Sequence, residues 1–224
     1  MRILFKFATR SRPTLFKRGI ESILNNISTD DFQILVSVDH DDDTMLPMIN
    51  EYKAHPNVSI VVGSSKSKVH AINRDIELAM DWDVLVNMSD DMVFVEKGFD
   101  EIIRGGYIDK DWNTYPFHKN LDFCLHFPDG NRNDLITMSI IGKDYYKRFN
   151  YIYNPEYISL YCDNEQTDVA KILGCYKYVD KVIFNHLHPA YGKAIFDRQY
   201  QHTESFSNID QQTYIKRKAI NYGL

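Results

Sequence analysis

Cysteine is scarce in this chain of 224 residues: only Cys124, Cys162 and Cys175 occur, with no CxxC pair and no regular spacing. A sparse, odd set excludes a disulfide framework and fits reduced thiols in the cytosol. Long apolar runs are also lacking, and none approaches the about 20 residues that span a bilayer. The N-terminus, Met1-Arg2-Ile3-Leu4-Phe5-Lys6, meets charge too early for a secretory signal. A soluble, cytoplasmic protein is therefore expected, with contact at a membrane surface left open. There is no excess of positive charge. The formal net charge is −5 with both signs well mixed, so nucleic acid is not expected as a partner. The Ser64–Lys68 loop lacks the GK[ST] ending of a phosphate-binding P-loop, and no GxGxxG occurs, which argues against a dinucleotide-dependent dehydrogenase. Internal repeats, low-complexity tracts and interdomain linkers are absent as well.

What is present is an alternation of apolar runs and helical periodicity. Ile3–Ala8 reads as a strand, and Pro13 opens a helix with Leu15, Phe16, Gly19, Ile20, Ile23, Leu24 and Ile27 at helical spacing. Phe32–Val38 is a second strand, 45–52 a short helix, Val58–Val62 a third strand, 69–80 a helix, and Val84–Met88 a fourth strand. That rhythm predicts a parallel sheet with helices on both faces. Beyond it the pattern loosens. A helix over 98–104, an irregular aromatic stretch over 107–134 (Trp112, Tyr115, Pro116, Phe117, His118), a strand over 135–141 and a helix over 143–149 follow. A helix over 163–173 closed by Gly174, a strand over 176–184 and a terminal helix over 210–221 complete the reading. The fold class is α/β.

In a parallel sheet the strand C-termini converge on one edge, where open α/β sheets bind ligands. Here those ends carry Thr9-Arg10, Asp39, Ser64–Lys68 and Asp90-Asp91. Asp39 directly follows its strand and can accept an N–H from a base edge; Lys68 or Arg10 can face phosphate. Asp41-Asp42-Asp43 reads as a solvated turn. Asp90-Asp91 alone could also be such a turn, but two carboxylates that close need compensation, and a divalent cation carrying a substrate phosphate supplies it. Asn73 and Arg74 lie on the following helix. Asp163 sits where a helix N-cap belongs, with Glu165 in the first turn; the functional alternative makes Asp163 a general base. His186-x-His188 ends a strand, and alternation puts both imidazoles on one face, suited to a transition metal or Mn2+.

Taken in order, these motifs resemble those of GT-A-fold glycosyltransferases of the family-two type. The resemblance covers most of residues 1–190. It implies one Rossmann-like GT-A domain: a nucleotide-binding half (1–95), an acceptor half (96–190) with a small antiparallel extension, and a helical lid or tail (191–224). Thr9, Arg10, Arg12, Asp39, Lys68, Asn73 and Asp90 match nucleotide-sugar contacts. Asp91 matches the metal-holding end of a DxD variant, and His186 or His188 a late histidine that joins it. Cys162-Asp163 matches the region bearing the inverting base, with Cys162 in place of the usual Glu, which leaves Asp163 and Glu165 both open as that base. The implied activity is metal-dependent (Mn2+ or Mg2+) transfer from a nucleoside-diphosphate sugar, UDP-linked by preference, to a glycan or glycolipid hydroxyl. Tyr191, Lys193 and Arg198 would form a closing lid, and Lys216-Arg217-Lys218 complements a helix C-terminus. The alternatives are a sugar-1-phosphate nucleotidyltransferase, whose Gly-rich opening loop is missing, and a non-catalytic nucleotide-binding module, favoured by Cys162.

Overall fold

In the computed structural model, residues 1–106 and 120–224 are described. The first four strands are β1 (Ile3–Thr9), β2 (Phe32–Asp39), β3 (Val58–Gly63) and β4 (Val84–Met88). Between them lie helices α1 (Pro13–Asn26), α2 (Leu46–Tyr52) and α3 (Lys68–Asn73). β1 pairs in parallel with β2 and β4, and β2 with β3. β1 and β4 are buried on both faces, which is why they read as continuous apolar runs. The period of two sorts their side chains. Phe5 and Phe7 join Phe16, Ile20 and Ile23 of α1 on one face, while Leu4 joins Val69 and Ile72 of α3 on the other.

After β4 come β5 (Met92–Phe94), the single turn α4 (Phe99–Glu101), β6 (Cys124–His126), β7 (Ile140–Gly142), α5 (Lys143–Phe149) and α6 (Cys162–Ile172). β8 (Tyr176–Tyr178), β9 (Phe184–His186), α7 (Arg198–Glu204) and α8 (Ser207–Ala219) follow. The central sheet has the order β3-β2-β1-β4-β7-β6-β8, and β5 pairs with β9 in a separate two-stranded sheet. β7 runs antiparallel to β4 and β6, so the sheet is mostly parallel with an antiparallel extension. β7 can end against the preceding loop only because Gly142 has no Cβ, which would sit 2.2 Å from the Leu121 carbonyl oxygen.

Four expectations are corrected. The helix expected over 69–80 stops at Asn73, because Arg74 turns extended and Asp75 takes φ 70°. There the Asp75 carboxylate accepts from Ser37 Oγ (2.6 Å) and Arg74 Nη1 (2.7 Å), so tertiary bonds override the local periodicity. The strand expected over 135–141 shortens to Ile140–Gly142, since the Ile136 N–H is taken by Thr167 Oγ1 rather than by a ladder. The strand expected over 176–184 divides into β8 and β9, which belong to different sheets. The tail holds α7 ahead of the expected terminal helix. Part of the aromatic stretch, including Trp112, Tyr115, Phe117 and His118, lies outside the described residues.

Candidate active site

The parallel strand ends open into a cleft of about 510 Å³, within the size range of small-ligand sites. Its walls hold Thr9, Arg10, Arg12, Asp39, Lys68, Asp90, Asp91, Asp163, His186 and His188. Residues as far apart in the chain as Thr9 and His188 thus meet in one place. Of the candidate donor-contact, metal and base residues, Asn73 and Glu165 do not line it.

Asp90 and Asp91 follow β4 and are both buried. Asp90 Oδ1 accepts from Arg12 Nη1 (2.9 Å) and Oδ2 from Thr9 Oγ1 (3.3 Å). Burial, partly offset by Arg12 and reinforced by Asp91, raises its pKa to about 6. Asp91 Oδ2 accepts from Tyr200 Oη (2.8 Å) and faces His186 Nε2 at 3.3 Å. Burial opposes its ionisation, but the hydrogen bond and charge of His186 outweigh burial and hold the carboxyl far below the usual range. Asp91 Oδ1 is buried with no hydrogen-bond partner among the described residues.

The β5–β9 pairing builds the next part, since it sets His186 opposite Met92 and beside Asp91. His186 Nδ1 lies 3.4 Å from Asp129 Oδ2. Burial disfavours its charge, yet the two flanking carboxylates raise its pKa to about 9. His186 thus lies between the Asp91 and Asp129 carboxylates, within 3.3 and 3.4 Å of them. His188 is different: its Nδ1 accepts the Ala190 N–H, and burial plus the charge of His186 lower its pKa. A neutral ring results, 5.3 Å from His186 between centroids.

The implied Mn2+ or Mg2+ can be tested against these groups. Among the described residues, no cluster of three or more His, Cys, Asp or Glu side chains could hold a metal alone. A cation delivered with a diphosphate needs only one or two protein ligands. The unpartnered Asp91 Oδ1 and the neutral His188 fit that smaller requirement.

At the end of β2, Asp39 Oδ2 accepts from Arg10 Nη1 (2.9 Å), while its buried Oδ1 has no hydrogen bond among the described residues. Arg10 also forks onto Asp41. Of the expected solvated turn, Asp42 is an exception: it is buried and accepts from the Ser11 N–H (2.7 Å) and Thr44 Oγ1 (2.5 Å). Lys68 opens α3 behind its Ser67 cap and is exposed to the cleft.

Asp163 is the second residue of α6. The N-cap is Tyr161, in the left-handed region at φ 61°, so Asp163 is not the cap. Its Oδ1 accepts the Asn164 N–H at 2.9 Å, and burial raises its pKa. Glu165 faces the other way, where both its oxygens accept from Arg217 (2.7 and 2.9 Å) and Oε2 also from Tyr157 Oη (2.7 Å). This pairing removes Glu165 from the choice of base. It also corrects the reading of Arg217 as mere charge near a helix end. Asn73 is likewise structural: Nδ2 donates to the Tyr153 carbonyl (2.6 Å), and Oδ1 accepts the N–H groups of Ile152 and Tyr153 (2.9 and 3.1 Å).

Of the residues expected to close over the cleft, Tyr191, Lys193 and Arg198 do not line it, while Gln199, Tyr200, His202 and Thr203 of α7 do. Asp197 caps α7 at the Tyr200 N–H and clasps Arg12 through Nε (2.9 Å) and Nη2 (2.6 Å). Arg12 in turn lies over the Tyr200 ring at 4.0 Å. An Asp ahead of a helical stretch is an N-cap signal, so Asp197 was detectable; its partner was not. Asp129-Gly130 similarly carries a turn signature, without any hint that it meets His186.

The sequence matches no family model and no curated protein. Solved structures do match in fold. The mannosyltransferase PcManGT from Pyrobaculum calidifontis, in complex with GDP-Man and Mn2+, superposes with TM-score 0.59 at 11% identity, over 81% of this chain and 55% of that one. S. aureus TarS 1–349 in complex with UDP gives TM-score 0.64 at 12% identity, over 83% of this chain and 60% of that one. Its complex with UDP-GlcNAc gives 0.64 and 12%, over 83% and 58%. The chain has the GT-A fold of these glycosyltransferases, and it spans between half and two thirds of their lengths. No helix among the described residues is long and apolar enough to cross a membrane.

Proposed function

We propose that this chain is an inverting glycosyltransferase that moves a sugar from a nucleoside diphosphate, UDP by preference, to a hydroxyl of a glycan or glycolipid acceptor. The observation that carries it is the single cleft that gathers Asp39, Arg10, Arg12, Lys68, Asp91, His188 and Asp163 at the strand ends. The neighbours bound to UDP, UDP-GlcNAc or GDP-Man with Mn2+ support the same reading.

In this reading the nucleotide-binding half places the base against Asp39, whose Oδ1, 3.7 Å from Arg74 Nη2, accepts an N–H, with Arg10 holding Oδ2. Arg12 and Lys68 offer cations to the diphosphate. Asp91 and His188 would hold Mn2+ or Mg2+, which would supply positive charge against that building on the leaving diphosphate. His186 and Asp129 fix the Asp91 carboxylate in position. From the acceptor half, Asp163 takes the proton of the attacking hydroxyl. Its raised pKa brings it closer to working pH than an ordinary carboxylate. One displacement at the anomeric carbon inverts its configuration.

The test is incubation with UDP- and GDP-sugars and Mn2+, with the released nucleotide and the anomer of the product read by chromatography and NMR. Release of nucleoside diphosphate with inversion is expected, and Asp163→Asn should lose transfer while still binding nucleotide. Release of pyrophosphate would point to nucleotidyl transfer instead, and retention of configuration would remove Asp163 from its role.

A further inference from the structure

Three polar atoms in the cleft wall lack any partner among the described residues: Asn87 Oδ1, Thr137 Oγ1 and Ser159 Oγ. All three residues line the cleft that Asp91 and Asp163 also line. Buried polar atoms are normally paired, and leaving one unpaired is costly. Three together on a ligand cleft call for a ligand that pairs them.

Their supports are over-determined. Asn87 belongs to β4, and its backbone N–H donates to the Ser139 carbonyl (2.8 Å). Thr137 sits between Ile136, whose N–H is held by Thr167 Oγ1 (3.1 Å), and Ser139, whose hydroxyl accepts from Gln166 Nε2 (2.8 Å). Ser159 is fixed by the fully buried Asp210, whose carboxylate accepts the N–H groups of Ile158 (2.9 Å), Ser159 (2.8 Å) and Leu160 (2.8 Å). Side chains on such rigid supports recognise a ligand at low cost in ordering.

We propose that Asn87, Thr137 and Ser159 form the subsite for the transferred sugar, and that it takes an uncharged, hydroxyl-bearing pyranose. The inference rests on the transferase reading above and narrows its substrate class. One carbonyl oxygen accepts, and two hydroxyls both donate and accept, which matches the hydroxyls of a sugar ring. A sugar carboxylate in this cleft would meet the carboxylates of Asp91 and Asp163 that also line it. The two cations that act on Asp163 are Lys68 and Arg132. Arg132 is forked onto Asp134 (2.8 and 2.9 Å), and Lys68 faces the diphosphate on the reading above. Neither is left to receive a uronate.

The experiment is titration calorimetry of the full chain with Mg2+, using UDP, UDP-glucose and UDP-glucuronate, and GDP, GDP-mannose and GDP-mannuronate. The wild type is compared with Thr137→Val and Ser159→Ala. Expected is a rise of about tenfold in the ratio of sugar-nucleotide to nucleotide Kd in each variant, the cost of one lost hydrogen bond. The Kd for the bare nucleotide should stay within about twofold, which also reports that the variant is folded. The uronate should bind about tenfold or more weakly than its neutral counterpart. Nucleotide binding with an unchanged ratio, or a uronate that binds as well as the neutral sugar, would overturn the subsite. Failure of both nucleotides to bind the wild type would overturn the transferase reading, and this inference with it.

Discussion

Replacing Glu165 separates a buried structural carboxylate from a catalytic one. Glu165 is 4% exposed and Arg217 9%. In Glu165→Gln the side-chain shape and the bond from Tyr157 are kept, while Arg217 loses the buried carboxylate that its Nε and Nη2 reach. What remains to the guanidinium is the exposed Glu156 and the Tyr222 carbonyl (2.9 Å). Stranding one charge of a buried pair costs about 3–5 kcal/mol. For a chain of this size that amounts to a fall of roughly 6–20 °C in Tm. The double variant Glu165→Leu/Arg217→Met removes both charges and should lose much less than the sum of its singles, a coupling that a double-mutant cycle in urea measures directly. Assayed well below its Tm, Glu165→Gln should transfer sugar at near the wild-type rate. A loss of stability under about 1 kcal/mol would refute the stranded-charge argument. Full loss of transfer in folded Glu165→Gln would return Glu165 to the role of base.

Other expectations follow from the same geometry. Lys6 is fully buried, its ammonium donating to Ser37 Oγ, and burial pulls its pKa from 10.5 down to about 7. The unfolded chain therefore binds more protons between about pH 7 and 10.5, and stability should rise with pH across that window. Lys6→Met should flatten that slope in urea titrations and add about 1–4 kcal/mol at pH 6.5; an unchanged slope would place the effect elsewhere. With Asp163 as the proposed base, which must be ionised to act, and its pKa raised by burial, kcat/KM should fall with acid from a point above the ordinary carboxylate range. Asp163→Asn should lower kcat by about 10²–10⁴, and an acid limb unmoved from the ordinary range would count against Asp163. Asp197→Asn keeps the cap of α7 but frees Arg12 from a competing carboxylate, so UDP should bind about fivefold tighter, roughly 1 kcal/mol. Weaker binding in that variant would show that the clasp organises the site rather than competes for it.

The parallel half of the fold was legible because burial on both faces writes itself as unbroken apolar runs, and β4 over Val84–Met88 lies where its run predicted. Strand-end residues were legible for a related reason: parallel topology turns order along the chain into convergence in space, so Asp39, Asp90 and Asp91 meet Arg10, Arg12 and Lys68. What escaped the sequence was pairing. Nothing local tells that Glu165 is matched by Arg217, 52 positions on, or that Asn73 clamps the backbone at 152–153. The break after α3 is set by Ser37 and Arg74 acting on Asp75, and the division of β8 from β9 by a second sheet that only the folded chain provides. The placing of α7 over Asp91 depends on Tyr200, one of many tyrosines, none distinguished by its neighbours in sequence.

The most direct measurement is a crystal structure of the chain with UDP and Mn2+. The account predicts density for the diphosphate between Arg12, Lys68 and Asp91, the ion's anomalous signal within bonding distance of Asp91 Oδ1 and His188, and the base against Asp39. A diphosphate bound away from Asp91, or an ion held by other side chains, would contradict it.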